Sequence, residues 1–595
     1  MKPSVTSRSR DGQAVSLDDH GVIGDLRSAA LVGRDGTISF FCAGAFDRPT
    51  IFASLLDPAA GWFSIGPEQD VHRTIQMYVP DTNVLLTRFL SKEGIAEVTD
   101  FMPVPDYGGP QRIIRHVRVI RGELDIQMRC APRPAYAAGR YGVEVRGQSA
   151  TFGSDDADTP ELRLRATFPL IEADRDVRGT VRLEAGHEAA MALEISPEQP
   201  HGPLDPVEAR AAFDATVAWW HRWSARSTYQ GRWREIVGRS ALVLKLMTSV
   251  EHGTMVAAVT FGLPEQLGGA RNWDYRYCWV RDTSFAVYAF VRLGFVEEAS
   301  GFLDSIGARA ANAGNGGGVD PNGPLRIMYA LDGRDKLPER SLDHFAGYRD
   351  SRPVRVGNAA ADQFQLDIYG ELMDALYLAD KYGRQTSWEG WAHVCAMVGW
   401  LRDNWQRPDR GIWEGRGDDK QFLHSRLMSW VAIDRAIRLA NARWLPAPLP
   451  ERNQTRLQIH YSIHQEFWDA ELGSFVQYPG AKTVDGSMLL MPLLRFIAGD
   501  DPCWLTTLVQ IEKQLVTDVL VRRRRSRTWF WTDWRATRAR SWPARSGISR
   551  RWRGPGRCTG RGCCSTSCSA IRTTSVCMPR SCRRPATSSA TRRRC

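Results

Sequence analysis

The densest run of chemically capable side chains is Gly268-Gly269-Ala270-Arg271-Asn272-Trp273-Asp274-Tyr275-Arg276-Tyr277-Cys278-Trp279-Val280-Arg281-Asp282. Four aromatics interleave with three arginines and two aspartates just before an apolar helical stretch. This combination suits sugar recognition: aromatic faces stack on pyranose C–H faces, while guanidinium forks and carboxylates hydrogen-bond the hydroxyls. The same residues allow a plainer arrangement, with Asp282, Thr283 or Ser284 capping the helix and the aromatics in the core. A second cluster, Pro408-Asp409-Arg410-Gly411-Ile412-Trp413-Glu414-Gly415-Arg416-Gly417, sets Glu414 in a Gly-rich loop beside a tryptophan. An apolar wall such as Trp413 raises a carboxyl pKa toward the range a general acid needs. Its plainer alternative is an exposed Glu414 paired with Arg416. A third segment, Asn358 to Glu371, puts Asp362, Gln363, Gln365, Asp367 and Glu371 at the entrance of a helix. No His/Cys/Asp cluster has metal-ligand spacing and no Gly-rich loop leads from strand to helix, so neither metal nor organic cofactor is expected.

These segments must be held by elements the pattern also indicates. Residues 20 to about 200 show short apolar runs separated by turn signals: Ala29 to Val32, then Arg34-Asp35-Gly36, then Thr37 to Phe41. Val84 to Leu90, Ile113 to Ile120 and the alternating Val181 and Leu183 continue the pattern. Strands at this spacing, without a 3.6-residue period, indicate an antiparallel β-sandwich, with a mixed α/β domain as the alternative. Pro203, Pro206 and the helical Val207 to Trp223 read as a linker. Helical stripes follow: Ile236, Val237, Ala241, Leu244 and Met247, then Phe285 to Leu293, Gln365 to Leu378, Trp388 to Leu401 and Leu427 to Leu439. Helices joined by long Gly-, Pro- and aromatic-rich loops suggest a helical array with function in its loops.

Composition narrows the class. The 595 residues are 43% hydrophobic and 24% charged, as in folded soluble proteins. No run of about twenty apolar residues is present, so no membrane association is expected. Met1 to His20 lacks a hydrophobic core of the secretory type. The net charge of +11 is concentrated after Arg522, where 21 Arg face one Asp, leaving residues 1–521 at −9. The body is therefore an acidic protein and no nucleic-acid partner is expected. Its five cysteines, Cys42, Cys130, Cys278, Cys395 and Cys503, have no C-x-x-C spacing. A reducing, cytoplasmic compartment fits them, without disulfide framework or zinc site.

Taken together, Gly268 to Asp282, Ala361 to Glu371 and Gly411 to Arg416 resemble glycoside hydrolase family 15, the glucoamylase, glucodextranase and trehalase-type family. Asp19-His20-Gly21-Val22-Ile23-Gly24-Asp25 through Ser39-Phe40-Phe41 resembles the trehalase-like N-terminal domain of its prokaryotic members. The resemblance spans roughly residues 18 to 521. It implies an N-terminal β-sandwich followed by an (α/α)6 barrel, and inverting hydrolysis of an α-glucosidic bond at a non-reducing end. It implies Glu414 as general acid, with Trp279, Arg281 and Asp282 lining the terminal-glucose subsite and Trp413 beside it. The expected division is 1–17 disordered, 18–202 sandwich, 203–230 linker helix, 231–521 barrel and 522–595 aberrant tail. The expected partner is an α-glucoside or oligosaccharide: α,α-trehalose, or a malto- or isomalto-type chain.

The family's base is a Glu near the C-terminus, in a segment like Gly-Leu-Tyr-Ser-Glu-Glu. This chain has none, and its last Glu is Glu512, on an amphipathic stretch. From Arg522 to Cys595 there is no Leu, Lys, Glu, Tyr, His, Asn or Gln, yet there are five Trp and seven Cys. The genetic code offers an account. If each intended codon joins the last base of one codon to the first two of the next, Trp534 to Ser541 reads as Leu-Ala-Gly-Asp-Glu-Gly-Thr-Phe. Thr574 through Cys582 reads as Leu-Gly-Leu-Tyr-Ala-Glu-Glu-Leu, and Ala586 to Arg594 as Gly-Asp-Gln-Leu-Gly-Asn-Ala-Pro-Gln. All three resemble the family's C-terminal signatures in order, so the tail reads as frameshifted and the missing base maps near Met578 to Cys582. The expectation is a hydrolase impaired in the chain as written, with a carbohydrate-binding pseudoenzyme and an Arg-tail nucleic-acid binder as alternatives.

Overall fold

A computed structural model describes residues 15–104, 109–156, 158–196, 202–311 (backbone alone for 307–311), 325–383, 385–517 and 520–524. The expectations for residues 1–14, and for the tail beyond 524 with the mapped position of the base, lie outside the described residues. Compactness divides the chain in two. Among the described residues, one unit takes in those up to Trp468 with Gln477–Gly480, and the other Asp469–Val476 and those from Ala481 onward.

Among the described residues the first unit opens with fifteen strands: β1 His20–Gly24, β2 Ala29–Gly33, β3 Thr37–Cys42, β4 Thr50–Phe52, β5 Trp62–Pro67, β6 Val71–Tyr78, β7 Leu85–Ser91 and β8 Gly94–Phe101, then β9 Gln111–Ala131, β10 Gly142–Arg146, β11 Ser149–Gly153, β12 Leu162–Ala166, β13 Ile171–Ala173, β14 Asp176–Glu184 and β15 Glu188–Ile195. All pairings are antiparallel, and no α-helix occurs among the described residues of this stretch, which removes the mixed α/β alternative. The 21-residue β9 is shared. Its first half pairs with β8 and β15 (Val98 opposite Val117, Leu193 opposite Ile113), and its second half with β5 and β14 (Phe63 opposite Cys130, Val181 opposite Ile126). Alternate residues of β7, from Leu85 through Thr87 and Phe89 to Ser91, turn inward as the period of two requires. One hydrophobic cluster draws on both halves, including Phe41, Phe52, Phe63, Ile113, Val117, Phe152, Leu164 and Leu193. The Asp35-Gly36 turn needs glycine: φ is 80°, and a Cβ there would lie 2.1 Å from the Ile65 carbonyl oxygen.

Eight α-helices follow among the described residues of the same unit: α1 Pro206–Ser224, α2 Arg234–Leu246, α3 Val280–Leu293, α4 Val296–Ala311, α5 Asp367–Lys381, α6 Trp388–Asn404, α7 Leu423–Arg443 and α8 Leu449–Glu466. Asp205 caps α1 by accepting the Val207 N–H, with Pro206 in the first turn. The α2 stripe is displaced from the sequence reading: Ala241, Leu242 and Leu246 are buried, while Ile236 is 65% exposed. Val243 and Ile236 face outward, so the apolar face is set by tertiary packing and not by the periodic count. α5 packs against both α3 and α7. α7 is buried nearly all round from Leu423 to Ala440, the state of a helix enclosed by protein on every side. Gly370 permits the α5–α7 approach, since a Cβ there would lie 2.2 Å from the Met428 carbonyl oxygen. In the second unit, α9 (Leu490–Leu493) and α10 (Pro502–Leu515) are described. Trp504, Ile511 and Leu515 of α10 are buried, and Thr507 Oγ1 accepts the Phe475 N–H.

Candidate active site

The N-terminal turns of α3, α5 and α7 and the loop before α7 bring the site together. Trp279 is the N-cap of α3, with no side-chain cap bond, and Thr283 Oγ1 donates to its carbonyl at 2.9 Å. Asp282 therefore lies inside the first turn, where the helix dipole favours a carboxylate, and the capping alternative for Asp282, Thr283 or Ser284 does not hold. Its side chain is 43% exposed and accepts from Arg281 at 3.1 Å.

The loop carrying Glu414 is clamped at its base. Asp409 and Lys420 exchange two backbone hydrogen bonds of 2.9 Å. The buried Asp409 carboxylate also accepts the N–H of Gly411 at 3.1 Å and of Leu366, just before α5, at 2.8 Å. Within this clamp Glu414 adopts φ of 51°, a left-handed conformation that a non-glycine residue keeps only where its surroundings fix it. Two donors fix it here. Trp279 Nε1 and Arg281 Nη2 donate to Glu414 Oε1 at 2.8 and 3.2 Å, and Arg281 Nη1 donates to the Ile412 carbonyl at 2.9 Å. Glu414 Oε2 takes no hydrogen bond from the described residues.

This geometry corrects several details of the sequence reading. Glu414 is paired with Arg281, not with Arg416, which bridges to Glu339 at 3.0 Å and stacks on Trp273 at 3.9 Å. Trp279 is buried and spends its indole N–H on Glu414, so it reaches the site as a donor and not as a stacking face. Trp413, expected beside the glucose subsite, is half-buried in the same loop. Three polar residues of the aromatic motif do structural work. Arg276 and Asp274 form a fully buried ion pair, and Asn272 Nδ2 donates to the carbonyls of Ser351 and Pro353 at 3.2 and 3.0 Å. Of the motif's three arginines, only Arg281 joins the group around Glu414.

Beneath Arg281 lies a group to which the sequence reading gave no role. Asp367 and Glu371, one turn apart on α5, face His424 of α7. All three are buried, Asp367 completely. Burial pushes the Asp367 carboxyl up to about 6 against the opposing pull of Arg281, and burial with the charge of Asp367 holds Glu371 well above the usual carboxylate range. Burial and Arg281 push His424 down to about 3, and burial and Asp367 push Asp409 up to about 7. Burial also opposes the Arg281 charge, but Asp282 and Glu414 more than offset it and raise its pKa. Among the described residues no group of three or more His, Cys, Asp or Glu side chains is arranged to hold a metal ion. No described helix is long and apolar enough to cross a membrane, and the five body cysteines are free thiols.

Residues 231–532, half of the chain, match the sequence model of glycosyl hydrolases family 15. The chain belongs to this family. Residues 10–157 of this family-15 protein match a second model, the trehalase-like N-terminal domain. Its relatives include the trehalase of Thermoplasma volcanium, 33% identical over 505 residues, which cover 84% of this chain and 79% of that one. Trehalase 1 of Sulfolobus acidocaldarius is 34% identical (84% and 83% covered), and the trehalase of Mycobacterium tuberculosis 31% (86% and 77%). In three dimensions the family-15 chain shares its fold with a bacterial glucoamylase solved with acarbose. The TM-score is 0.59 at 11% identity, covering 84% of this chain and 79% of that one. The protein is a glycoside hydrolase by family.

Proposed function

We propose that the chain derives from an inverting, exo-acting α-glucoside hydrolase of the trehalase or glucoamylase type, working in the cytoplasm, with residues 18–202 as a sandwich, 203–230 as a linker helix and 231–521 as an (α/α)6 barrel short of its last helices. The observation that carries this reading is the convergence of Trp279 and Arg281 on Glu414 Oε1, which leaves Oε2 to hold a proton for the glycosidic oxygen. Arg281 and Asp282 then hold the terminal glucose through its hydroxyls, with Trp413 beside it. The name trehalase shared by several relatives supports the α-glucoside class.

Inversion requires a second carboxylate roughly 6.5–9.5 Å from the first, to activate water on the opposite face of the sugar. No Glu follows Glu512, which is exposed on α10. We therefore assign the base to the frame-shifted segment near Met578 to Cys582, and the chain as written is an impaired enzyme. That same absence supports a second reading, a carbohydrate-binding pseudoenzyme that keeps the glucose site without turnover. Resequencing across the codons for Arg522 to Arg527, followed by assay of both chains on trehalose and maltose, separates the two. Glucose release with β-anomeric product from the frame-corrected chain alone supports the enzyme. Binding without release by both supports the pseudoenzyme, and retention of configuration refutes inversion.

A further inference from the structure

The group beneath Arg281 has an unusual hydrogen-bond balance. Both carboxyl oxygens of Asp367, Oε1 of Glu371 and both ring nitrogens of His424 are buried without a hydrogen-bond partner at the distances found. Yet His424 Nδ1 lies 3.6 Å from Asp367 Oδ2 and His424 Nε2 lies 3.8 Å from Glu371 Oε1. Each gap is less than an ångström beyond hydrogen-bonding range, within reach of small side-chain rotations. A neutral imidazole has one donor and one acceptor, so the carboxyl facing its acceptor nitrogen must be protonated, while the other accepts the ring N–H and does so most strongly when ionised. The surrounding charges choose which. Arg281 of α3 attracts a charge on Asp367, whereas Glu371 faces the charge of Asp367, against which Arg281 is a smaller attraction, and then those of Asp374 on its own helix and Asp282 on α3. From the acid loop, Glu414 and Asp409 add negative charge near Asp367. From α7, His424 faces the pair, and Arg281 opposes its protonation.

We propose that Asp367 and Glu371 of α5 and His424 of α7 form one buried hydrogen-bonded chain, in which His424 donates from Nδ1 to ionised Asp367 and accepts at Nε2 from protonated Glu371. The inference rests on the placement of Arg281 and Glu414 in the sugar site, but its central claim concerns proton positions. The charge of Asp367 acts on Arg281 without a hydrogen bond or close ion pair between them, and Arg281 in turn holds Ile412 and Glu414. Glu371 is needed as a neutral donor and not as a charge.

Nitrogen-15 histidine labelling of the full chain tests this directly, with the His424 resonance identified by its loss in His424→Gln. Neutral imidazole in the Nδ1–H tautomer from pH 7 to pH 8 is expected; an imidazolium or an Nε2–H tautomer overturns the chain. Glu371→Gln, whose amide donates in place of the acid, should keep that tautomer and leave glucose affinity within about twofold. Asp367→Asn should disturb the tautomer and weaken glucose by about tenfold or more. Equal effects of the two amide substitutions overturn the proton assignment, and an unchanged affinity in folded Asp367→Asn overturns the influence of its charge on Arg281. If the wild-type chain binds no glucose, the sugar-site reading fails, while the tautomer still decides the hydrogen-bonded chain. If Asp367→Asn does not fold, the wild-type tautomer and Glu371→Gln decide it.

Discussion

Replacing Arg276 by methionine should cost the protein its stability and spare its sugar site. The Arg276 Nε and Nη2 bond Asp274 at 2.9 and 2.8 Å, Nη1 donates to the Arg48 carbonyl at 2.7 Å, and Nη2 reaches the Tyr136 hydroxyl at 3.1 Å. The guanidinium also lies over Phe261, 4.5 Å from its ring centre. Methionine fills most of that volume but leaves the wholly buried Asp274 carboxylate opposite no cation. Breaking a buried pair from one side costs about 3–5 kcal/mol. At about 2–4 °C per kcal/mol the unit holding Arg276 should melt roughly 10 °C lower. The double variant Asp274→Leu/Arg276→Met should recover part of that loss, because removing both partners is milder than stranding one. Calorimetry supplies the melting temperature and glucose titration at low temperature supplies the binding. A shift under about 2 °C would refute the buried-pair argument. Loss of glucose binding with unchanged melting would return Arg276 to the sugar-recognising role that its sequence context suggests.

Four further outcomes are expected. In a frame-corrected protein, Glu414→Gln should lower turnover by about 10²–10⁴-fold with substrate affinity largely kept, as measured by steady-state kinetics; near-normal turnover removes Glu414 from the acid role. The uncorrected 595-residue chain should release no measurable glucose from trehalose or maltose, so robust activity in that chain would sink the assignment of the base to the tail. Gly370→Ala should destabilise the α5–α7 contact by at least about 1–3 kcal/mol in thermal melts, because its Cβ meets the Met428 carbonyl. Asp409 has a folded pKa raised to about 7, so its protonated form favours the fold below its unfolded value and that advantage is lost as pH rises from about 4 to about 7. Relative to Asp409→Asn, wild type should lose up to about 4 kcal/mol across that window, and a pH-independent gap between the two would refute the shift.

Strand positions were legible wherever turn chemistry bracketed them. Arg34-Asp35-Gly36 marks the β2–β3 turn because only glycine fits against Ile65, and the alternation in β7 survives intact in its burial. The sharing of β9 was not legible, since a strand passing between partners keeps the same period of two on both sides. Ends of helices were blurred by the site itself. α3 begins at Val280, five residues before its apolar stripe, because Arg281 and Asp282 occupy its first turn. Glu414 stood out through its Trp and Gly neighbours, but its partner did not, because Arg416 is near in sequence and Arg281 only in space. Asp367 and Glu371, two acids four residues apart on the inner face of α5, were noted as polar groups at a helix entrance but given no role. His424 gave less, a lone histidine at the start of an apolar helix. What couples them is the packing of α5 on α7, and one strand of sequence carries no record of that.

The sharing of β9 also bears on how the polypeptide emerges from the ribosome. β9 spans residues 111–131, but its neighbours arrive at 62–67 and 94–101 before it, and at 176–184 and 188–195 after it. A nascent chain that has exposed β9 but not β15 therefore presents bare backbone donors and acceptors along a long strand, a template for pairing with another chain. That exposure ends only when residue 195 has cleared the exit tunnel, since domains settle as units during synthesis. Nonsense mutations between 131 and 195 should thus yield aggregates that seed on β9. A change of reading frame after residue 521 comes too late to disturb this region, so the fifteen-stranded part should accumulate folded whatever the remaining codons specify.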